Sequence, residues 1–161
     1  LQRGLLDYIF VSTLFPVVWQ CVFEYYHHRI FHIPFMYKHF HKYHHYYKAP
    51  EPFDDMYIHP IEAFIYYCIL YSPIFVLPMH ITSTLFYMGY MGLTGIMDHS
   101  GVKFHIPNFY NTEDHDKHHS LVNCNYAFPH PFMDILHGTF EGEYIGKSFK
   151  CDAVKITKGE S

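Results

Sequence analysis

The sequence predicts an all-α protein, with integral membrane helices beneath a cytoplasmic helical cap that carries a histidine-rich dinuclear metal site. Three observations predict it. Two long apolar stretches, Leu5 to Phe23 and Ile61 to Met97, each contain a single charged residue, Asp7 and Glu62. Eight of the 16 histidines fall in three short boxes outside those stretches. Apart from Arg3, every Lys and Arg lies at 29–48 or 103–158.

Length and composition are consistent with this class. A chain of 161 residues is one domain by length. With 50% hydrophobic and 20% aromatic residues against 16% charged, it leans toward a membrane environment. A net charge of -4 speaks against a nucleic-acid partner. The four cysteines are scattered without a C-x-x-C pair, which suggests neither a disulfide framework nor a thiolate zinc site. Cys21 and Cys68 read as core residues, as in a reducing compartment. The chain opens on Leu1 rather than Met, as a fragment or processed form would, with room for spans upstream.

In chain order, Leu5 to Phe23 is close to the length of about 20 residues that a spanning helix needs. It has neither a basic leader nor a small-residue cleavage site, so it reads as a span rather than a signal peptide. Glu24 to His32 continues that helix beyond the bilayer until Pro34 ends or bends it. Tyr37 to Tyr47 forms a short helix stopped by Ala49-Pro50-Glu51-Pro52. The long apolar block is a helical hairpin, about 61–78 and 81–97, turning at Pro78-Met79-His80. A buried hairpin of a soluble all-α protein is the alternative. Asn111 to Asp114 supplies capping residues ahead of a helix from His115 to Leu121. Residues 1–145 thus form a membrane domain, and the polar, Lys-rich tail 146–161 is expected to be loosely ordered. The positive-inside rule puts the histidine boxes together on the cytoplasmic face.

The boxes read His28-x-x-x-His32, His41-x-x-His44-His45 and His115-x-x-His118-His119. On a helix, positions i, i+3 and i+4 share a face, so each box can aim its imidazoles at one point. Eight imidazoles exceed what one metal needs, and two metals account for them economically. All-nitrogen ligation suits iron or zinc better than calcium or magnesium. Glu24, Glu62, Asp98 and Asp114 are placed to orient imidazoles, with Asp116 a surface residue. His27, His39, His80, His130 and His137 read as surface or capping residues, and the tyrosines around the boxes as interface belt and core.

These motifs resemble the fatty acid hydroxylase superfamily, the membrane group of sterol C4-methyl oxidases, sterol C5 desaturases and fatty acid 2-hydroxylases. Glu24-x-x-x-His28-Arg29-x-x-His32 resembles its first box, and the two His-x-x-His-His segments resemble the second and last. His59-Pro60-Ile61-Glu62, His99-Ser100-Gly101 and Asp134-x-x-x-Gly138-Thr139 are similar to further signatures, the first two favouring the sterol-modifying branch. The similarity runs over about residues 20–140. One departure is Asn125-Tyr126-Ala127, where the family often has Asn-Tyr-Gly, so a different local turn is expected. Another is the lack of the upstream helices usual in full-length members.

The resemblance implies O2-dependent oxidation of a lipid C–H bond, in a sterol or fatty acyl chain, by hydroxylation, methyl oxidation or desaturation. It implies two iron ions held by His28, His32, His41, His44, His45, His99, His115, His118 and His119, with His59 as a ligand or a supporting residue. It implies electrons from NAD(P)H delivered through cytochrome b5 and its reductase, since the chain has no dinucleotide motif of its own. It also implies a multi-pass protein of the endoplasmic reticulum membrane. Two other readings compete: a membrane protein that binds or transports metal, and a catalytically inactive relative that binds lipid.

Overall fold

The apolar run near the N-terminus winds into one unbroken helix, α1 (Gln2–Phe31), in the computed structural model, which describes residues 2–48 and 51–153. The second apolar block forms the expected hairpin, α3 (Pro60–Val76) and α4 (Ile81–Asp98). Both arms start in the same way. His59 and His80 sit at the N-caps in extended backbone, and each ring Nδ1 accepts the N–H two residues on at 3.2 Å.

The hairpin packs against α1 through hydroxyl groups. Ser12 and Ser83 hydroxyls meet at 2.8 Å, and the Trp19 indole N–H donates to Ser72 at 2.9 Å. Tyr87, wholly buried, donates to the Leu70 carbonyl at 2.8 Å within a core of Leu70, Met91 and Phe128. Such bonds are directional where apolar packing is not, so they fix how the three helices register. The remaining faces expose Leu6, Phe10, Phe64, Phe75, Leu85 and Leu93. Among the described residues one helix, Gly4–Phe31, is long and apolar enough to cross a membrane, where three such spans were expected. Pro60–Val76 is a shorter apolar helix.

The cap departs from expectation in several places. The single helix expected over 37–47 is two pieces: α2 (Pro34–His39), then a 3-10 helix from His41 to Tyr46. Pro34 starts α2, its missing N–H costing nothing at a first turn, and Ile33 before it is extended. Of the expected stop signal, Ala49 and Pro50 lie outside the described residues. Of the capping residues expected at 111–114, Asn111 caps α5 (Thr112–Leu121), which starts before the expected His115; its side chain accepts the Glu113 N–H at 3.1 Å.

The fold is mostly helical rather than all-α. One short antiparallel ribbon pairs β1 (His105–Ile106) with β2 (Tyr110–Asn111). After the short α6 (Phe132–His137), a second pairs β3 (Gly142–Tyr144) with β4 (Lys147–Phe149). Ile145 and Gly146 join β3 to β4, both at positive φ, as a two-residue hairpin turn of the primed type requires. The tail expected to be loose from Gly146 is therefore structured through β4, while 154–161 lie outside the described residues. The cysteine reading is also corrected: Cys124 and Cys151 are disulfide-bonded, which fastens this ribbon to the loop after α5, and Cys68 is exposed rather than core.

Candidate metal centre

Four segments bring their histidines to one end of the helical bundle. His28 lies in the last turn of α1 and His32 one turn on, just past its end, with His41, His44 and His45 on the 3-10 helix, His99 at the C-cap of α4, and His115, His118 and His119 on α5. Their donor atoms form two groups: His28, His32, His41, His45 and His118 in one, and His44, His99, His115 and His119 in the other. Within each group the donor atoms all lie within 4.8 Å of one another. The groups abut, with the His45 and His119 ring centroids 4.8 Å apart.

Each His-x-x-His-His box is split between the groups, instead of aiming at one point. On α5 a residue turns by about 100°, so i+4 lies nearer to i than i+3 does. His115 and His119 accordingly share a group and His118 joins the other. On the 3-10 helix i and i+3 eclipse, and the His41 and His44 rings do stack at 5.1 Å. They stand at the boundary and serve opposite groups.

Hydrogen bonding fixes which ring nitrogen is free. Nδ1 of His28, His99, His118 and His119 donates to the carbonyls of Tyr126, Gly95, Cys124 and Tyr47, at 2.8, 3.1, 2.6 and 3.0 Å. His41 Nδ1 pairs with Glu62 Oε1 at 2.5 Å, and burial pushes the Glu62 carboxyl up to about 8. Carbonyls only accept, so Nδ1 carries the proton in the four rings they hold and Nε2 presents a bare lone pair. Those lone pairs converge. His99 and His119 Nε2 both approach His115 Nε2, at 3.0 and 3.1 Å, and one imidazole proton could serve only one of them. His118 and His32 Nε2 both approach His45 Nε2, at 3.0 and 3.2 Å. Nε2 of His28 and His41 is buried with no partner at all.

Converging, unprotonated nitrogens are unfavourable unless a cation sits among them, so the residues present fit two metal ions. Burial, reinforced by neighbouring imidazoles, holds His45 at about 2 and His119 at about 4. It lowers His41, His44, His115 and His118 well below the ordinary histidine value. All are then neutral at pH 7, the form that ligates metal.

The expected carboxylate partners are mostly elsewhere. Glu62 alone orients an imidazole. Glu24 accepts from Gln20 at 2.5 Å, Asp98 from the Tyr110 hydroxyl at 2.5 Å, and Asp114 from Asn111 and Lys117. Asp116 is half-buried. Backbone carbonyls do the orienting instead, a role no side-chain pattern discloses. His59 caps α3 and stands outside both groups. His39, His80, His130 and His137 are also outside them, while His27 is buried beside them.

The loop after α5 is held by Asp134, whose carboxylate accepts the N–H of Tyr126 at 2.9 Å and of Ala127 at 2.7 Å, and the Thr139 hydroxyl at 2.6 Å. It thereby positions the Tyr126 carbonyl that orients His28. The positive φ falls on Asn125, at 55°, and not on Ala127, so alanine brings no strain there.

A family model described as fatty acid hydroxylase matches residues 13–139. Among curated proteins, the chain is 29% identical to sphinganine C4-monooxygenase 2 of Arabidopsis thaliana over 151 residues, covering 85% of this chain and 58% of that protein. It is 29% identical to lathosterol oxidase of Rattus norvegicus over 144 residues, covering 83% and 47%. It is 30% identical to a very-long-chain aldehyde decarbonylase of Oryza sativa over 138 residues, covering 80% and 52%. The chain spans about half the length of these curated relatives. No solved structure matches it.

Proposed function

The chain belongs to the fatty acid hydroxylase family, and from that premise we propose that it oxidises an unactivated C–H bond of a lipid with O2 at a non-haem two-iron centre. The observation that carries the reading is the pair of all-imidazole groups, with tautomers fixed so that lone pairs converge. Five histidines would hold one iron and four the other, with no thiolate or carboxylate among them. Iron bound there supplies reductive activation of O2. For a hydroxylation the balance is RH + O2 + 2 e⁻ + 2 H⁺ → ROH + H2O, and a desaturation removes two hydrogens with two waters formed. The reaction needs two electrons from a donor, and this stretch of chain carries no dinucleotide or flavin motif. NAD(P)H acting through cytochrome b5 and its reductase is the donor we propose.

What the chain's own residues do is orient and exclude. Four carbonyls hold four rings in the ligating tautomer, and Glu62 orients a fifth. The apolar, outward-facing side chains of α1, α3 and α4 suit lipid contact, since a helix apolar all round needs hydrocarbon or protein on every face. A membrane site in the endoplasmic reticulum, with the metal groups on the cytoplasmic side, is part of the same proposal. The named relatives act on sphinganine, lathosterol and long-chain aldehydes, so the substrate here is proposed only as a lipid.

The test is elemental analysis of detergent-purified protein after iron-replete expression. About two irons per chain are expected, falling in His44→Ala and in His118→Ala, one variant for each group. Well-folded protein without stoichiometric metal sinks the oxidase reading.

A further inference from the structure

Val122 and Asn125 bracket Cys124, and both stand at positive φ, 67° and 55°. Asparagine tolerates that region. For a β-branched residue such as valine it is a conformational outlier that persists only where the surrounding structure holds it. This loop follows α5 and carries the Cys124 carbonyl, which accepts from His118 Nδ1 at 2.6 Å. A disfavoured stretch of backbone thus supports the bond that orients His118 in the five-histidine group.

Much of what holds the loop lies C-terminal to it. The Cys124–Cys151 disulfide ties it to the chain just after β4. The Asn125 N–H donates to the Thr139 carbonyl at 2.9 Å, and its side-chain oxygen accepts the Glu141 N–H at 2.7 Å. Its side-chain amide donates to the carbonyls of Asp114 at 2.9 Å and Glu141 at 3.2 Å. The β3–β4 ribbon that leads to Cys151 is a two-stranded hairpin, an element that is marginal by itself in water. Besides the disulfide, its ties include Phe149 against the buried Phe140 at 5.7 Å and the Ile145 N–H donating to Asn108 at 2.8 Å. With the S–S bond cut, the ribbon can lift, the loop can relax to ordinary backbone, and the Cys124 carbonyl turns away from His118.

We propose that the Cys124–Cys151 bond is a redox latch on the metal centre. Closed, it holds His118 as a ligand; reduced to two thiols, it weakens metal binding in the five-histidine group. In the four-histidine group the orienting carbonyls are those of Gly95, on α4, and Tyr47, at the end of the 3-10 helix, and neither belongs to this loop. The inference rests on the two-metal reading above. A dithiol, or two molecules of a glutathione-type thiol, supplies two electrons and two protons. The S–S bond breaks, Cys124 and Cys151 become thiols, and the reductant becomes a disulfide. Both cysteines are 0% exposed, so the attacking thiolate reaches sulfur only when the ribbon lifts. On the cytoplasmic side proposed for the metal groups, disulfides are usually transient and redox-sensing rather than permanent.

The test brings iron-loaded, detergent-purified chain to equilibrium with a chelator, once oxidised with glutathione disulfide and once reduced with a phosphine. Elemental analysis counts the iron, and alkylation with mass spectrometry counts the thiols. Oxidised chain should keep both irons at a chelator concentration where reduced chain keeps one, the affinity for the lost ion falling at least about tenfold. Cys151→Ser leaves the Cys124 carbonyl in place and should behave as the reduced chain, with or without phosphine. Reoxidising the reduced wild type and adding iron back should restore the second ion, as a chain that had merely unfolded would not. Four thiols after oxidation, equal retention in both states, loss of both irons together, a loss that reoxidation does not reverse, or a phosphine effect that persists in Cys151→Ser overturns the latch. The same redox dependence with zinc, in a chain that holds no iron, would sink the oxidase reading alone. Two irons held alike in both states would sink the latch alone.

Discussion

Asp134 is the residue on which the loop behind the metal groups depends, and its ionisation gives a test by pH. Burial pushes its carboxyl up from 3.8 to about 6, despite the hydroxyl and two backbone N–H groups that favour the charged form. The folded state therefore binds this proton more tightly than the unfolded chain does. The stability it contributes is full below about pH 4 and is lost as pH rises through about 6. Asp134→Asn removes that dependence. The stability of the wild type relative to the variant should thus fall on the order of 2–3 kcal/mol between those pH values. Melting temperatures in detergent across the range would read it, and a difference that stays flat or rises would contradict it. At pH 7 the variant also replaces one acceptor with an NH2 that faces a backbone N–H, so the Tyr126 carbonyl behind His28 loses part of its support.

Among the elements, α3 carries the sharpest discrimination, because its first residues contain both Glu62 and the His59 that sequence alone leaves as ligand or support. His59 caps the helix, its Nδ1 engaged by the Ile61 N–H. His59→Ala should lower stability by about 1 kcal/mol and leave iron content unchanged; loss of an iron would return it to the ligand set. What was legible in the sequence followed from local pattern: the i, i+4 pair His28 and His32 at the end of α1, the α3–α4 hairpin, and a cap ahead of α5. What was not legible depended on contacts distant in sequence. The division of each His-x-x-His-His box depends on which neighbour stands on either side of it. The 3-10 geometry of His41–Tyr46 has no side-chain signature. Carbonyls of Tyr47, Gly95, Cys124 and Tyr126 orient rings, and every residue has a carbonyl. The Cys124–Cys151 pair is separated by 27 residues, and only the fold of the terminal ribbon brings it together.

At the scale of the molecule, two kinds of cohesion divide the chain. The bundle of α1, α3 and α4 is joined by hydroxyl bonds and a buried core that need no ligand. The cap is joined largely through imidazoles from α1, the 3-10 helix, the end of α4 and α5, whose lone pairs face one another at 3.0–3.2 Å. Metal is therefore expected to hold the cap far more than the bundle. At a free metal concentration about 1,000 times its dissociation constant, binding stabilises the state that binds it by about 4 kcal/mol. Chelation should remove that much from the cap and leave the bundle nearly untouched. Hydrogen exchange before and after chelation would resolve the two. Amides in the 3-10 helix, in α5 and at Asn125 to Ala127 should lose protection, whereas those of α3 and α4 should keep theirs. Uniform loss would mean that cap and bundle form one cooperative unit. No loss anywhere would mean that the imidazoles pack stably without metal, and the convergence of their lone pairs would then need another cause.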